Sequence, residues 1–418
     1  MFQRTVLPNG LRILTSSMPH TRSVSVNVYI ATGSRYESDE DAGISHFLEH
    51  LFFKGSERRP TAKEISEAIE GVGGILNAAT DRELTVYWVK VARPHFALAV
   101  DILVDMLRHP LFAPEEIEKE RKVVLEELAM VNDAPERRVE TLIDEVCWPH
   151  QPLGREVAGT RESVLALTRD QILAYVARQY VPNNTVISIA GDIVHEEVVE
   201  MLSAALDDWG RGTPSTWYPA VEADGQPRLG LEYWRSEQAH LNLALPGVGS
   251  LDPDRYAFGL LNVVLGEGMS SRLFLEIREK HALAYDVQSR LSQYLDTGSM
   301  VVYAGVSPGQ AVPALQAIEA EVRRLLDPIP EDEVTKAREL SKGRLLLRME
   351  DTRAVAAWLG GQELLSDRIL TPDEVVAIID GLTATDLQHV AQRLLPGQAR
   401  LAVVGPFRSE RRFREIIL

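Results

Sequence analysis

The segment Val181-Pro-Asn-Asn-Thr-Val-Ile-Ser-Ile-Ala-Gly191 has a counterpart 214 residues further on, Leu395-Pro-Gly-Gln-Ala-Arg-Leu-Ala-Val-Val-Gly405, with a proline near the start and a glycine at the end superposed. Near the start of each half, Ser25 to Ser34 matches Leu241 to Ser250, and Gly33-Ser34 falls 216 residues before Gly249-Ser250. A register held at both ends of a half is the mark of a duplicated unit, and it restricts the chain to two copies of one domain. The length, 418 residues, suits two domains of about 200 residues each. The boundaries expected from this are a domain over 1–212, a linker over 213–227 containing Gly, Pro and Ser, and a second domain over 228–418.

Within the first copy, a Pro8-Asn9-Gly10 turn separates Val6 and Leu7 from Leu11 and Ile13, and Val24, Val26, Val28 and Ile30 follow at period two. This pattern predicts a hairpin followed by a sheet strand. Apolar residues switch to helical spacing from Gly43 to Phe53. A second helix begins after Thr61, an N-cap with Glu64 three residues on, and Gly71, Gly73 and Gly74 stop it. Strands and helices are mixed and hairpins are present, so the expected class is α+β, each domain a mostly antiparallel sheet packed with helices.

Charge and composition narrow the function. Lys and Arg total 44 against 61 Asp and Glu, a net charge of −17, and an acidic surface without a basic patch repels phosphate backbones and anionic lipid. Neither nucleic-acid nor membrane partners are expected. The longest mostly apolar stretch, Tyr256 to Leu265, is far short of the roughly 20 residues of a membrane helix. The stretch Met1 to Leu14 lacks the apolar core of a signal peptide, and the single cysteine, Cys147, allows no internal disulfide and no thiolate zinc site. A cytoplasmic location is expected.

The residues that carry chemistry are His46-Phe-Leu-Glu49-His50. On a helix His46 and His50 lie about 40° apart and Glu49 about 60° to the other side of His46, so two imidazoles and a carboxylate face one way. Two neutral imidazoles at i and i+4 can grip one Zn²⁺ while the glutamate takes a proton from water, the inverted His-x-x-Glu-His arrangement. Surface histidines on a partly exposed helix are the alternative, but Ile44, Phe47, Leu48, Leu51 and Phe52 surround the site with apolar residues. Ionisable groups on a buried helix need a partner that offsets their desolvation.

A catalytic zinc site takes three protein ligands, so a third is expected elsewhere. In Pro114 to Val131 the apolar stripe is Ile117, Val124, Leu128 and Val131, with Glu120 and Glu127 at its flank and Glu126 facing solvent. Glu127 is the expected ligand and Glu120, two turns upstream, its supporting partner. Pairing of Glu120 and Glu127 with Arg121 or Lys122 in an ordinary salt-bridged helix is the competing reading.

The chain resembles the pitrilysin and insulinase family of inverted zinc metallopeptidases, and within it the half-length bacterial chains similar to mitochondrial processing peptidase. The resemblance rests on Gly43-Ile-Ser-His-Phe-Leu-Glu-His-Leu-Phe-Phe-Lys-Gly55, Leu76-Asn-Ala-Ala-Thr-Asp-Arg-Glu-Leu-Thr-Val-Tyr87 and Glu118-Lys-Glu-Arg-Lys-Val-Val-Leu-Glu-Glu-Leu128. In that family the third ligand follows the second histidine after 76 residues, a count that ends here on Glu127. The second copy has Asn262, Leu265 and Gly266 where the first has His46, Glu49 and His50, so it lacks the motif, as second domains of the family do.

The resemblance implies a zinc-dependent endopeptidase with one Zn²⁺ per chain. It implies Glu49 as general base, and Asn77 and Ala78 as binders of an extended peptide or unfolded polypeptide along Leu76 to Thr80. Arg278 and Tyr285, seven residues apart, look like the family's pair that anchors substrate backbone and stabilises the oxyanion. In single-chain relatives that pair comes from a fourth domain, so in a two-domain chain it implies a homodimer in which Arg278 and Tyr285 serve the partner's site. A catalytically silent subunit of a peptidase complex, a peptide-binding scaffold with structural zinc, and Mn²⁺ or Co²⁺ in place of zinc remain alternatives at this point.

Overall fold

The computed structural model describes residues 2–221, 228–366, 368–395 and 398–417. Residues 222–227 of the expected linker, and Pro396 and Gly397 of the repeat, lie outside the described residues.

The first compact unit is built on a six-stranded sheet of β1 (Phe2–Val6), β2 (Arg12–Ser17), β3 (Ser23–Ile30), β4 (Ile75–Thr80), β5 (Thr85–Ala92) and β6 (Thr185–Gly191). Their order is β1-β2-β6-β3-β5-β4, antiparallel except for the β2–β6 pair. The Pro8-Asn9-Gly10 turn closes the β1–β2 hairpin, with the Gly10 amide donating to the Leu7 carbonyl at 2.8 Å. Val26 of β3 sits opposite both Val89 of β5 and Ile189 of β6, so the period-two valines align across three strands into one apolar face. That face packs on the helices Ile44–Leu51 and Phe96–Arg108 in the main core. Thr61 caps the helix Ala62–Glu70 through a capping box with Glu64, as its spacing predicts.

The opposite face of the same sheet is also covered, by the helix Thr352–Leu365. Leu359 packs with Leu14, Tyr29 and Val186, and the Ser188 hydroxyl donates to the Ala356 carbonyl at 2.7 Å. This explains why Ser25 and Asn27, the polar members of the β3 alternation, are buried.

The second unit repeats the plan with five strands: β7 (Leu229–Tyr233), β8 (Ala239–Pro246), β9 (Asp286–Gln293), β10 (Gly298–Val306) and β11 (Arg400–Gly405). Their order is β7-β11-β8-β10-β9, and the β7–β11 pair is again the parallel one. Here the covering helix is Pro135–Cys147, whose Val139, Leu142 and Ile143 pack on Ala244, Val301, Tyr303, Ala402 and Val404.

The chain passes from one compact unit to the other between Tyr218 and Pro219, inside the expected linker over 213–227, but it also changes unit at four further points. One compact unit is Met1–Leu128, Glu156–Tyr218 and Leu347–Thr371, and the other is Ala129–Arg155, Pro219–Leu346 and Pro372–Leu418. Each half of the sequence sends its amphipathic helix to the sheet of the other. An apolar helix face specifies burial against a sheet, and either of two duplicated sheets satisfies it. Among the described residues no helix is long and apolar enough to cross a membrane.

Candidate metal centre

The helix Ile44–Leu51 begins at Gly43, whose φ of 91° is left-handed and suits glycine. Its N-terminus is held by Glu37, a buried carboxylate that accepts from the Gly43 amide at 2.8 Å and the Ser45 amide at 2.9 Å. An acid satisfying the free amides of a helix start also opposes the positive end of its dipole. Phe47, Leu48 and Leu51 lock this helix into the core, which turns His46, Glu49 and His50 to the remaining side.

Helix Pro114–Asn132 supplies the acids. Ile117, Val124 and Leu128 are buried as the stripe predicts, and Glu120 is buried with them, while Val123 is exposed and Glu127 is partly open. The His46 Nε2 lies 3.8 Å and the His50 Nε2 3.5 Å from the Glu127 carboxylate Oε2. One potential ligand atom from each of these three residues lies within 4.8 Å of the others. Donors bound to one tetrahedral ion at bond lengths near 2.1 Å are spaced roughly 3.4 Å apart, so small side-chain adjustments would let these three close on a metal.

The electrostatics agree with a ligand set. Burial, and after it the neighbouring His50, pushes the His46 imidazole down to about 4, so it is neutral and carries a lone pair at physiological pH. His46 Nδ1 is buried and has no hydrogen-bond partner among the described residues. On the other imidazole, His50 Nδ1–H donates to Glu120 Oε2 at 3.2 Å, which leaves Nε2 as the lone-pair nitrogen on the Glu127 side. Glu120 Oε1 in turn receives the Lys54 ammonium at 2.7 Å. Arg121, the competing partner, instead bonds Glu118 and the Leu167 carbonyl, the latter at 2.8 Å.

Glu49 sits beside His46, His50 and Glu127 and is not part of that cluster. Burial pushes its carboxyl above the usual range; the neighbouring Thr80 and His50 oppose the shift, and Glu127 adds to it. Thr80 lies on β4, the edge strand that also carries Asn77 and Ala78. Asn77 points outward, with its Oδ1 accepting from the Ala78 amide at 2.8 Å.

Arg278 and Tyr285 belong to the second unit. The Arg278 guanidinium stands 5.3 Å from the Tyr285 ring centre, Tyr285 is 77% exposed, and both line a cavity of about 630 Å³ with Glu136, His240, Asp286 and Tyr303. Sequence reasoning missed Glu37, Lys54 and Thr80. Lys54 and Thr80 fall inside stretches that carry the resemblance, but nothing in their spacing singles them out; Glu37 precedes the first stretch by six residues and gave no signal.

Residues 12–161 match the family model of insulinase (peptidase family M16), and residues 166–341 match that of the peptidase M16 inactive domain. A protein of Streptomyces coelicolor described as an uncharacterized zinc protease is 37% identical over 99% of this chain and 91% of its own length. Among solved structures, a protease from Helicobacter pylori superposes with a TM-score of 0.90 at 22% identity, over 97% of this chain and 99% of that one. A chain of complex III2 from Candida albicans superposes at 0.84 and 20% identity over the full length of both. The chain belongs to the insulinase peptidase family, M16.

Proposed function

We propose that this protein is a zinc-dependent endopeptidase that hydrolyses peptides or unfolded polypeptide segments. The observation that carries the reading is the convergence of His46, His50 and Glu127 with a fourth ionisable group, Glu49, beside them. A structural zinc site needs no such base. His46, His50 and Glu127 would hold the ion, one per chain, and zinc supplies the Lewis acidity that makes water nucleophilic near neutral pH.

The protein's own groups do the rest. Glu49 takes the proton of the attacking water and passes it to the leaving amine, and a carboxyl whose proton affinity is raised by burial suits that exchange. The outer edge of β4 offers unpaired backbone groups to an extended peptide, with Asn77 and Ala78 contacting its main chain. Recognition through backbone gives tolerance of sequence. Arg278 anchors substrate and the Tyr285 hydroxyl donates to the oxyanion, acting in a homodimer on the partner chain's site. The acidic balance and lone cysteine fit a reducing cytoplasm.

A catalytically silent subunit is the second reading, which the match of residues 166–341 to an inactive domain leaves open. One experiment separates the two: cleavage of an unstructured peptide by wild type, Glu49→Gln and chelator-treated protein, with zinc counted in each. Loss of cleavage in Glu49→Gln with zinc retained supports the peptidase. Zinc-loaded wild type that cleaves nothing supports the silent subunit.

A further inference from the structure

Two acids flank the same stripe of helix Pro114–Asn132, and only one of them lies against both imidazole Nε2 atoms. Position on the helix alone does not separate their roles, because Glu120 and Glu127 are almost two full turns apart and point within about 20° of each other. What differs is the surroundings. Glu120 is 93% buried in its side chain and has both carboxylate oxygens engaged, Oε2 by His50 Nδ1 at 3.2 Å and Oε1 by Lys54 Nζ at 2.7 Å. Glu127 is 41% exposed, and its carboxylate faces the two histidines.

We infer that Lys54 is a positioning residue of the metal centre: it pins Glu120 out of the ligand set and aims it at His50, so that His50 presents Nε2 to the ion and Glu127 completes the triad. The inference rests on the zinc reading above and deepens it. Lys54 is four residues beyond His50 and three past the end of the helix Ile44–Leu51, and from there its ammonium reaches Glu120. An ammonium is a compact point charge with three donors, suited to holding one carboxylate oxygen while leaving the other to an imidazole. With Lys54 in place Glu120 cannot turn its oxygens to the ion without giving up a charge-assisted hydrogen bond.

The direct and indirect effects of this lysine have opposite signs, which makes the inference testable. A cation near a divalent ion repels it, so if repulsion were all that Lys54 contributed, removing its charge would tighten metal binding. If Lys54 orients Glu120 and through it His50, removal weakens binding by about 10-fold or more, the scale of losing an outer partner of a metal-ligating histidine.

The test is zinc affinity by chelator competition on full-length wild type, Lys54→Met, Lys54→Arg, Glu120→Gln and the Lys54→Met, Glu120→Gln double variant, with thermal unfolding of the metal-free forms alongside. Expected are a loss of about 10-fold in Lys54→Met, recovery in Lys54→Arg, and no further loss from Lys54→Met once Glu120 is already Gln, since the lysine acts through that carboxylate. Should Lys54→Met unfold, Lys54→Gln takes its place. Affinity unchanged or tightened by Lys54→Met, or an equal loss in both backgrounds, overturns the inference. Wild type that binds zinc and cleaves no peptide sinks the peptidase reading while the affinity cycle still decides Lys54; wild type that binds no zinc sinks both.

Discussion

Apart from β1, which only the first has, the two sheets have equivalent strand orders, one parallel pair each and equivalent covering helices, yet only the first carries an ionisable cluster that could hold a metal among the described residues. The difference lies in five aligned positions. At the offset of 216, His46, Glu49, His50, Glu120 and Glu127 become Asn262, Leu265, Gly266, Lys336 and Gly343. In the second unit Leu265 is fully buried, and a Cβ on Gly266 would stand 2.5 Å from the Ser289 hydroxyl and 2.6 Å from its amide nitrogen on β9. The helix Arg255–Gly266 has closed onto its edge strand where the first unit keeps space for side chains. Lys336 donates to the Ser270 carbonyl at 2.6 Å, a cation where the first unit has an acid. Losing a site in a duplicated fold thus involves more than deleting ligands, because the gap they occupied is filled.

The largest effect should come from making the first helix chemically like the second at one atom. Glu49→Gln keeps the volume and removes the base, and cleavage should fall by about 10²- to 10⁴-fold with zinc content unchanged. Undiminished cleavage would place the activity elsewhere. Next in size is the contribution proposed for the second unit. Tyr285→Phe removes one hydroxyl from an exposed ring and should lower kcat by about 10²- to 10³-fold, with unaltered zinc stoichiometry and thermal stability. If both kcat and KM are unchanged, the Tyr285 hydroxyl has no part in the chemistry.

The closed gap itself can be probed. Gly266→Ala places a methyl against Ser289 and should destabilise by about 1–3 kcal/mol, read as a lower midpoint in urea, while His50→Ala at the aligned position should release zinc and leave the metal-free fold near its original stability. Equal stability losses at the two positions would mean that the helices are packed alike after all.

Much of this was legible beforehand, and the parts that were not share a cause. The repeat, the hairpin at Pro8-Asn9-Gly10, the capping box at Thr61 and the stripe that put Glu120 and Glu127 on one flank are local patterns, and local patterns survive into the fold. The helix exchange is not local. Ser25, Asn27 and Ser188 line the face of the first sheet covered by Thr352–Leu365, and small polar residues there look in sequence like a solvated face. Lys54 and Glu37 escaped for a similar reason, since a single charged residue announces neither a partner nor a direction.

The smallest effect concerns how those exchanged helices start. Asp351 caps the helix Thr352–Leu365, its carboxylate accepting from the Arg353 amide at 2.9 Å and the Ala354 amide at 3.0 Å, and it also pairs with Lys90 of β5. The equivalent helix Pro135–Cys147 starts at Ala134, which has the extended backbone of a cap, φ −114° and ψ 103°, and no side chain to serve as one. Asp351→Ala should therefore cost about 1 kcal/mol, and Ala134→Ser should return a stabilisation of similar or smaller size. Serine is the better choice over aspartate because Asp133 and Glu136 already crowd that turn with negative charge. Thermal midpoints of the metal-free protein would read both changes. A gain from Ala134→Ser would show that the second sheet's covering helix is the less well anchored of the pair; no gain, with a loss from Asp351→Ala, would assign the stabilisation at Asp351 to the Lys90 pair rather than to the cap.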